Sequence, residues 1–254
     1  MGSVAVPEGP RARVPLLEIN RRFYEPLWER SRLVAPQRFN TWPLVRGLVS
    51  SPQLRLEVAP GLSPRLPLEG TRFIDMSDAA VAKLRERGAK ADVGLASSLP
   101  YGDKTMNLIG AFDIIEHVEN DEDVLSEISR VAAPGATLLL SAPLHAARWT
   151  SFDALVGHGR RYRPVDLVTK LARHGWSVAR SGAYGIQPRS SRLLDFVVWS
   201  FEHRPSRAQW WYSRVILPLG AFFQKKLDLA SGMIEVDDVD EVLLVCKRLP
   251  SPPS

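Results

Sequence analysis

Short apolar runs alternate with amphipathic stretches through the middle of this chain. Residues 54–58 and 71–75 read as strands, the first running into the turn signal Ala59-Pro60-Gly61. Ser77 stands where a helix N-cap belongs. Residues 78–87 follow it with Ala80, Val81 and Leu84 on one face and Gly88 as the C′ residue. Residues 90–95 and 106–111 are two further short strands. Asn120 or Asp121 caps a helix that buries Val124, Leu125, Ile128 and Val131 and is stopped by Pro134-Gly135. Residues 137–142 are apolar, as expected of a central parallel strand covered on both faces. Pro164 suits the first position of a helix ending at Gly175, and residues 176–184 and 241–247 supply the last strands. This alternation predicts an α/β fold, a Rossmann-like seven-stranded, mostly parallel sheet with one antiparallel strand and helices on both faces.

The flanks differ from this core. Residues 14–50 are predicted to form an N-terminal helical cap. Within it, 16–34 make one or two amphipathic helices carrying Phe23, Tyr24, Leu27 and Trp28, with Pro26 interrupting them or starting the second, and 42–50 add a short helix. Residues 188–236 separate the last two strands and are too many for a structureless loop. They carry Trp199, Phe201, Trp210, Trp211, Tyr212, Phe222 and Phe223 and are predicted to be a helical insertion. Three roles stand open for it: a lid over an apolar substrate pocket, a face for a homodimer partner or peripheral membrane contact, and a plain extension of the core. The chain thus divides into a tail (1–13), the cap (14–50), the core (51–187), the insertion (188–236), the final strand (237–249) and a second tail (250–254). The first tail, rich in Pro, Gly and charge, reads as disordered and lacks the apolar segment of a secretory signal.

With 254 residues and 45% hydrophobic content, one large core can form. No apolar run approaches the roughly 20 residues that cross a bilayer. The single cysteine, Cys246, excludes an intrachain disulfide and reads as a buried thiol, so a reducing cytoplasm is the default location. The net charge of +5 admits an anionic partner. Without a nucleic-acid module, zinc-finger spacing or Lys-rich tract, nucleic acid is not expected.

Candidate chemistry gathers at the carboxyl ends of the strands. Glu57 ends the first strand, Gly61 lies in the turn after it, and Asp75 ends the second. An adenosine-containing cofactor is held this way over parallel strands: the glycine lets backbone approach the ligand, and the acid can accept both ribose hydroxyls. A purely structural turn would look the same. After the fifth strand, the segment 153–162 contains His158, a candidate general base, with His145 a second. Arg160 and Arg161, with Tyr162, could hold a carboxylate or phosphate on a substrate, or the arginines could brace a Gly-turn against Asp or Glu. Tyr24 and Trp28 of the cap join the substrate-facing candidates.

The order of these pieces from Glu57 to Lys247 resembles the class I S-adenosylmethionine (SAM) dependent methyltransferases, in particular those acting on oxygen or carbon of small molecules. The resemblance rests on Leu56-Glu57-Val58-Ala59-Pro60-Gly61, Phe73-Ile74-Asp75-Met76-Ser77, Leu99-Pro100-Tyr101, Ala111-Phe112-Asp113 through Val118, Arg130 through Gly135, and Leu138 through Pro143. It implies that Glu57 faces the methionine amino end of SAM and that Ala59 and Gly61 lie against the cofactor. It also implies that Asp75 binds the ribose, Met76 packs on the adenine, Ala96 and Ser97 line its edge, and Phe112 and Asp113 floor the pocket near the methyl. Asp113-x-x-Glu116-His117 is similar to the segment with which ubiquinone-pathway O-methyltransferases hold a divalent cation, which implies a Mg²⁺-type ion at Asp113, Glu116 and His117. His117 thereby joins the catalytic candidates. The chain departs from the pattern at Ala59, where the family has Gly, at Leu95, where it often has Asp, and at Met106-Asn107, in place of Phe-Asp. The implied activity is methyl transfer to an oxygen or activated carbon of a small, even anionic, metabolite. A membrane-associated methyltransferase of a lipid or lipid-linked sugar and a non-catalytic SAM-fold scaffold are the alternatives.

Overall fold

The computed structural model describes residues 15–49, 53–185, 191–216, 224 and 226–250. The predicted tail 1–13 and the rings of Phe222 and Phe223 lie outside them. The core is a sheet of eight strands, β1 (Arg55–Val58), β2 (Thr71–Asp75), β3 (Lys90–Val93), β4 (Met106–Phe112), β5 (Ala132–Pro143), β6 (Trp176–Ala183), β7 (Ala230–Ser231) and β8 (Glu241–Arg248). Their order is β3-β2-β1-β4-β5-β8-β6-β7. The pairs β1–β2, β1–β4, β2–β3 and β4–β5 are parallel. Strand β8 is antiparallel to both β5 and β6. The strand count corrects the expected seven: β7 pairs antiparallel with Arg180 and Ser181 of β6. At two residues it is too short to show a periodicity. The order reverses between β1 and β4, and a ligand crevice opens over the carboxyl ends of strands at such a switch point.

Helices α1 (Leu16–Arg30), α2 (Trp42–Leu48), α3 (Asp78–Glu86), α4 (Asp121–Val131), α5 (Ser151–Leu155), α6 (Pro164–Arg173), α7 (Ser191–His203) and α8 (Pro205–Trp211) surround the sheet. The local signals explain most of them. Ser77 Oγ accepts from the amide of Ala80 (3.1 Å) and starts α3, and Asn120 Oδ1 accepts from that of Glu122 (3.2 Å) at the head of α4. Helix α1 is continuous, with Pro26 inside it. Chain passes straight from α4 into β5, so Pro134-Gly135 lie within the strand, not at the helix end.

Period-two alternation in β5 supplies both faces of the core. Leu138 and Leu140 pack with Leu56, Ile109 and the buried face of α4, while Leu139 packs with Leu108, Leu243 and Val45 of α2. All three leucines are fully buried, each contributing about 1.5–3 kcal/mol by area. Cys246 is buried as expected, which pushes its thiol up to about 12. Among the described residues, no helix is long and apolar enough to cross a membrane.

Candidate active site

A cavity of about 330 Å³ lies over the carboxyl ends of β1, β2 and β4, under α1. Glu57, Ala59, Gly61, Asp75 and Met76 all line it. The Glu57 carboxylate accepts the amides of Arg65 (2.8 Å) and Leu66 (2.7 Å), which fixes the loop after β1. Asp75 accepts the amides of Gly61 (2.8 Å) and Ser77 (2.9 Å), tying that loop to the head of α3. Burial pushes Glu57 up to about 7 and Asp75 up to about 6, against the pull of these amides. Gly61 has φ +53, and a Cβ there would meet the Trp28 indole at 2.4 Å, so only glycine fits. Ala59 also has a positive φ, 52°. The family's glycine would hold that backbone without strain; alanine does not.

Helix α1 roofs the cavity with Tyr24 and Trp28, whose rings stack 5.6 Å apart. Across from them, Phe112 and Asp113 end β4, Asp113 at φ 51 with its carboxylate against the Ser141 hydroxyl. A short turn then brings Glu116 and His117 to the wall, and the loop after α5 brings His158 beside them. One donor atom each from Glu116, His117 and His158 lies within 4.8 Å of the others. Both rings are oriented from behind. His158 Nδ1 donates to Asp153 Oδ1 (2.8 Å). His117 Nδ1 lies 2.9 Å from Asn20 Oδ1, while the Asn20 amide nitrogen donates to the carbonyls of Leu16 and His117. His158 thus keeps Nε2 as its base, while His117 Nε2 lies 3.5 Å from the Tyr24 hydroxyl. Glu116 is buried, its Oε2 meets no partner among the described residues, and burial and the Asp113 charge raise its pKa well above the usual range. Burial, and then the neighbouring His158, lower His117 to about 3.

Several expected residues lie elsewhere. Ala96 packs against the core and Ser97 is exposed; neither reaches the cavity. His145 adopts φ 61, and its Nε2 sits 2.8 Å from the carbonyl of Val236, which removes it from the wall. Arg161 is buried in a two-pronged pair with Asp153, Nε to Oδ1 and Nη2 to Oδ2 both at 2.9 Å. Arg160 donates to the carbonyls of Val118 and Glu119 and pairs with Asp121 (3.1 Å). Tyr162 is buried and donates to Asp121 Oδ2 (2.7 Å). The segment 160–162 is therefore a brace, the alternative that the sequence left open. Asp113 is replaced by His158 in the one potential metal-binding cluster among the described residues.

The wall includes residues that the sequence did not single out as site candidates. Arg65 lies over the Phe39 ring (3.7 Å) and donates from Nε to Tyr184 (3.0 Å). Glu241, the first residue of β8, and Tyr212, just beyond α8, complete the wall. A charge within the Pro-bounded stretch Pro64-Arg65-Leu66-Pro67 was the available hint for the first.

Residues 65–140 match the family model described as a methyltransferase domain. That stretch is similar to a methyltransferase domain and spans under a third of the chain. In sequence it is 41% identical over 76 residues to norajmaline N-methyltransferase of Rauvolfia serpentina, covering 30% of this chain and 26% of that protein. It is 33% identical over 109 residues to a probable SAM-dependent methyltransferase of Mycolicibacterium smegmatis, covering 41% and 42%. The chain thus aligns with well under half the length of these curated relatives. In fold, the chain is similar to a possible histamine N-methyltransferase from Thermotoga maritima, with TM-score 0.59, 16% identity, and 91% of this chain and 99% of that one covered. The [4+2]-cyclase SpnF is comparably similar, with TM-score 0.57, 17% identity, and coverage of 94% and 98%. At such identities the likeness is one of fold, and the site must carry the functional reading.

Proposed function

We propose that this chain transfers the methyl group of SAM to a small-molecule acceptor enclosed beneath α1 and Tyr212. The observation that carries this is that Glu57 and Asp75, from adjacent strand tips, line one cavity with two oriented histidines on its far side. In this reading Asp75 takes the ribose hydroxyls, the 59–61 turn lies along the cofactor, and Arg65 takes the cofactor's carboxylate. The sulfonium is already a good leaving group, so the protein's work is to position the acceptor and receive its proton. His158, held by Asp153, is the base. Arg160 and Arg161 are engaged elsewhere, which leaves the expected anionic metabolite without its anchors.

The donor set Glu116, His117 and His158 also fits a divalent cation, since one ligand atom from each lies within 4.8 Å of the others and Glu116 keeps an unpartnered carboxylate oxygen among the described residues. Such an ion would act as a Lewis acid on an acceptor hydroxyl. The insertion supports a division of labour: Phe201 is buried against Phe23, while Phe196, Trp199, Trp210 and Trp211 are exposed. That exposed set favours the membrane-surface reading of the insertion over a plain core extension. Liposome co-sedimentation checks it. A cytoplasmic location suits the single buried thiol.

The test of the main reading is incubation of the purified chain with SAM and a small-molecule extract of its source, followed by mass spectrometry. Products one methylene heavier, appearing together with S-adenosylhomocysteine, are expected. SAM that neither binds nor turns over would leave the scaffold alternative.

A further inference from the structure

The acceptor end of the cavity is acidic, and its acids are not equally occupied. Glu25 accepts the amide of Ala79 (2.9 Å), and Glu57 and Asp75 accept the loop amides described above. Glu116 and Glu241 differ: each keeps a buried carboxylate oxygen with no partner among the described residues. Both interact with Asp113; the cations that act on them are Arg65, on Asp113 and Glu241, and Arg161, on Glu116, and Arg161 is already held by Asp153. Aromatic residues Tyr24, Phe112, Phe152 and Tyr212 also line the cavity. A buried carboxylate oxygen without a donor is costly, and aromatic faces attract cations. Burial and the Asp113 charge hold both acids above the usual carboxylate range, an anionic acceptor would push them higher still, and a hydroxyl would bring a single donor. An ammonium group brings three donors and the complementary charge.

We propose that the acceptor is a primary or secondary amine, bound as its ammonium ion against the free oxygen of Glu116 and handed to His158. The proposal rests on the SAM-dependent reading above and names its substrate class. In the step it implies, an ammonium N–H proton passes to His158 Nε2. The freed nitrogen lone pair forms the N–C bond to the SAM methyl, and the C–S bond breaks with its electron pair going to sulfur. S-adenosylhomocysteine and the methylated ammonium remain, and His158 returns its proton to solvent. Glu116 and His158 have donor atoms within 4.8 Å of each other, close enough to share one nitrogen.

The probe is sinefungin, a SAM analogue carrying an amine where SAM carries the methyl sulfonium, so that an N–H donor points at the acceptor position. Titrations of sinefungin, SAM and S-adenosylhomocysteine into the full chain, in chelator, are compared with those into Glu116→Gln. Sinefungin is expected to bind about tenfold or more tighter than SAM in the unaltered chain, the worth of one charge-assisted hydrogen bond. In Glu116→Gln that preference falls to near parity while S-adenosylhomocysteine binds as before, which also shows that the variant is folded. Equal binding of sinefungin and SAM overturns the proposal, as does a preference that survives Glu116→Gln. A preference that appears only on adding Zn²⁺ or Mg²⁺ overturns it in favour of a metal site. Failure of all three compounds to bind strikes the SAM reading itself, a different outcome.

Discussion

Removing the Asp153 carboxylate should unfold the far side of the cavity. Its two oxygens hold the Arg161 guanidinium at 2.9 Å each, the His158 ring at 2.8 Å, and the Thr150 amide at 2.7 Å in a capping box that starts α5. The Arg161 side chain is 0% exposed and that of Asp153 1%. In Asp153→Ala the guanidinium stays buried without its counter-ion, which costs about 3–5 kcal/mol. The lost cap adds about 0.5–2 kcal/mol. A sum of about 3.5–7 kcal/mol is a large share of the roughly 5–15 kcal/mol that holds a domain folded. Urea unfolding followed by circular dichroism measures the loss. The double variant Asp153→Leu with Arg161→Met removes both charges and should recover most of it. A loss below about 1 kcal/mol in the single variant, or a double variant no more stable than the single, would refute the view of 153–162 as a buried ionic brace.

Other outcomes follow from the same coordinates. Ala59→Gly should stabilise the chain by about 1 kcal/mol, because glycine relieves the positive φ at that position; thermal unfolding would show it as a raised Tm. Arg65→Ala should weaken SAM binding by roughly ten- to a hundredfold while leaving the adenosine fragment's affinity unchanged, if its guanidinium holds the cofactor's carboxylate. Titration with SAM and with adenosine separates the two. The pH dependence of stability should lean acidic. Glu57 and Asp75, raised to about 7 and about 6, take up protons in the folded state before the unfolded chain does, so their ionisation costs stability as pH rises through those values. His117, lowered to about 3, works the other way below its ordinary 6.5. Glu116 and Glu241, raised well above the usual range, act in the same direction as Glu57 and Asp75, so the raised acids outweigh the lowered histidine and stability rises from about pH 7.5 to about 5.5. A denaturation midpoint that falls steadily over that range contradicts this.

The convergence of Glu57, Gly61 and Asp75 on one cavity was legible because its determinants are local. An acid at a strand end, a glycine three or four residues on, and a cap such as Ser77 are all set by short stretches of chain, and the sheet aligns them automatically. The acceptor side was less so. The spacing of Arg160 and Arg161 suits anion binding as well as bracing, and only the fold shows that α5 turns back to place Asp153 against Arg161. His158 was legible as a base candidate, but its partner Asp153 depends on that same reversal. Arg65, Tyr184 and Glu241 meet from three distant stretches, and no periodicity links a loop after β1 to the start of β8. Ala96 and Ser97 were misplaced because β3 stops at Val93, which leaves them on a turn outside the cavity.

Calorimetric titration of SAM into the unaltered chain and into Asp75→Asn tests the central claim most directly. One site is expected in the unaltered chain, and Asp75→Asn should weaken it by about 10- to 150-fold, the loss of a charged acceptor to the ribose hydroxyls. Absence of binding to the unaltered chain, or an affinity that Asp75→Asn leaves unchanged, would contradict it.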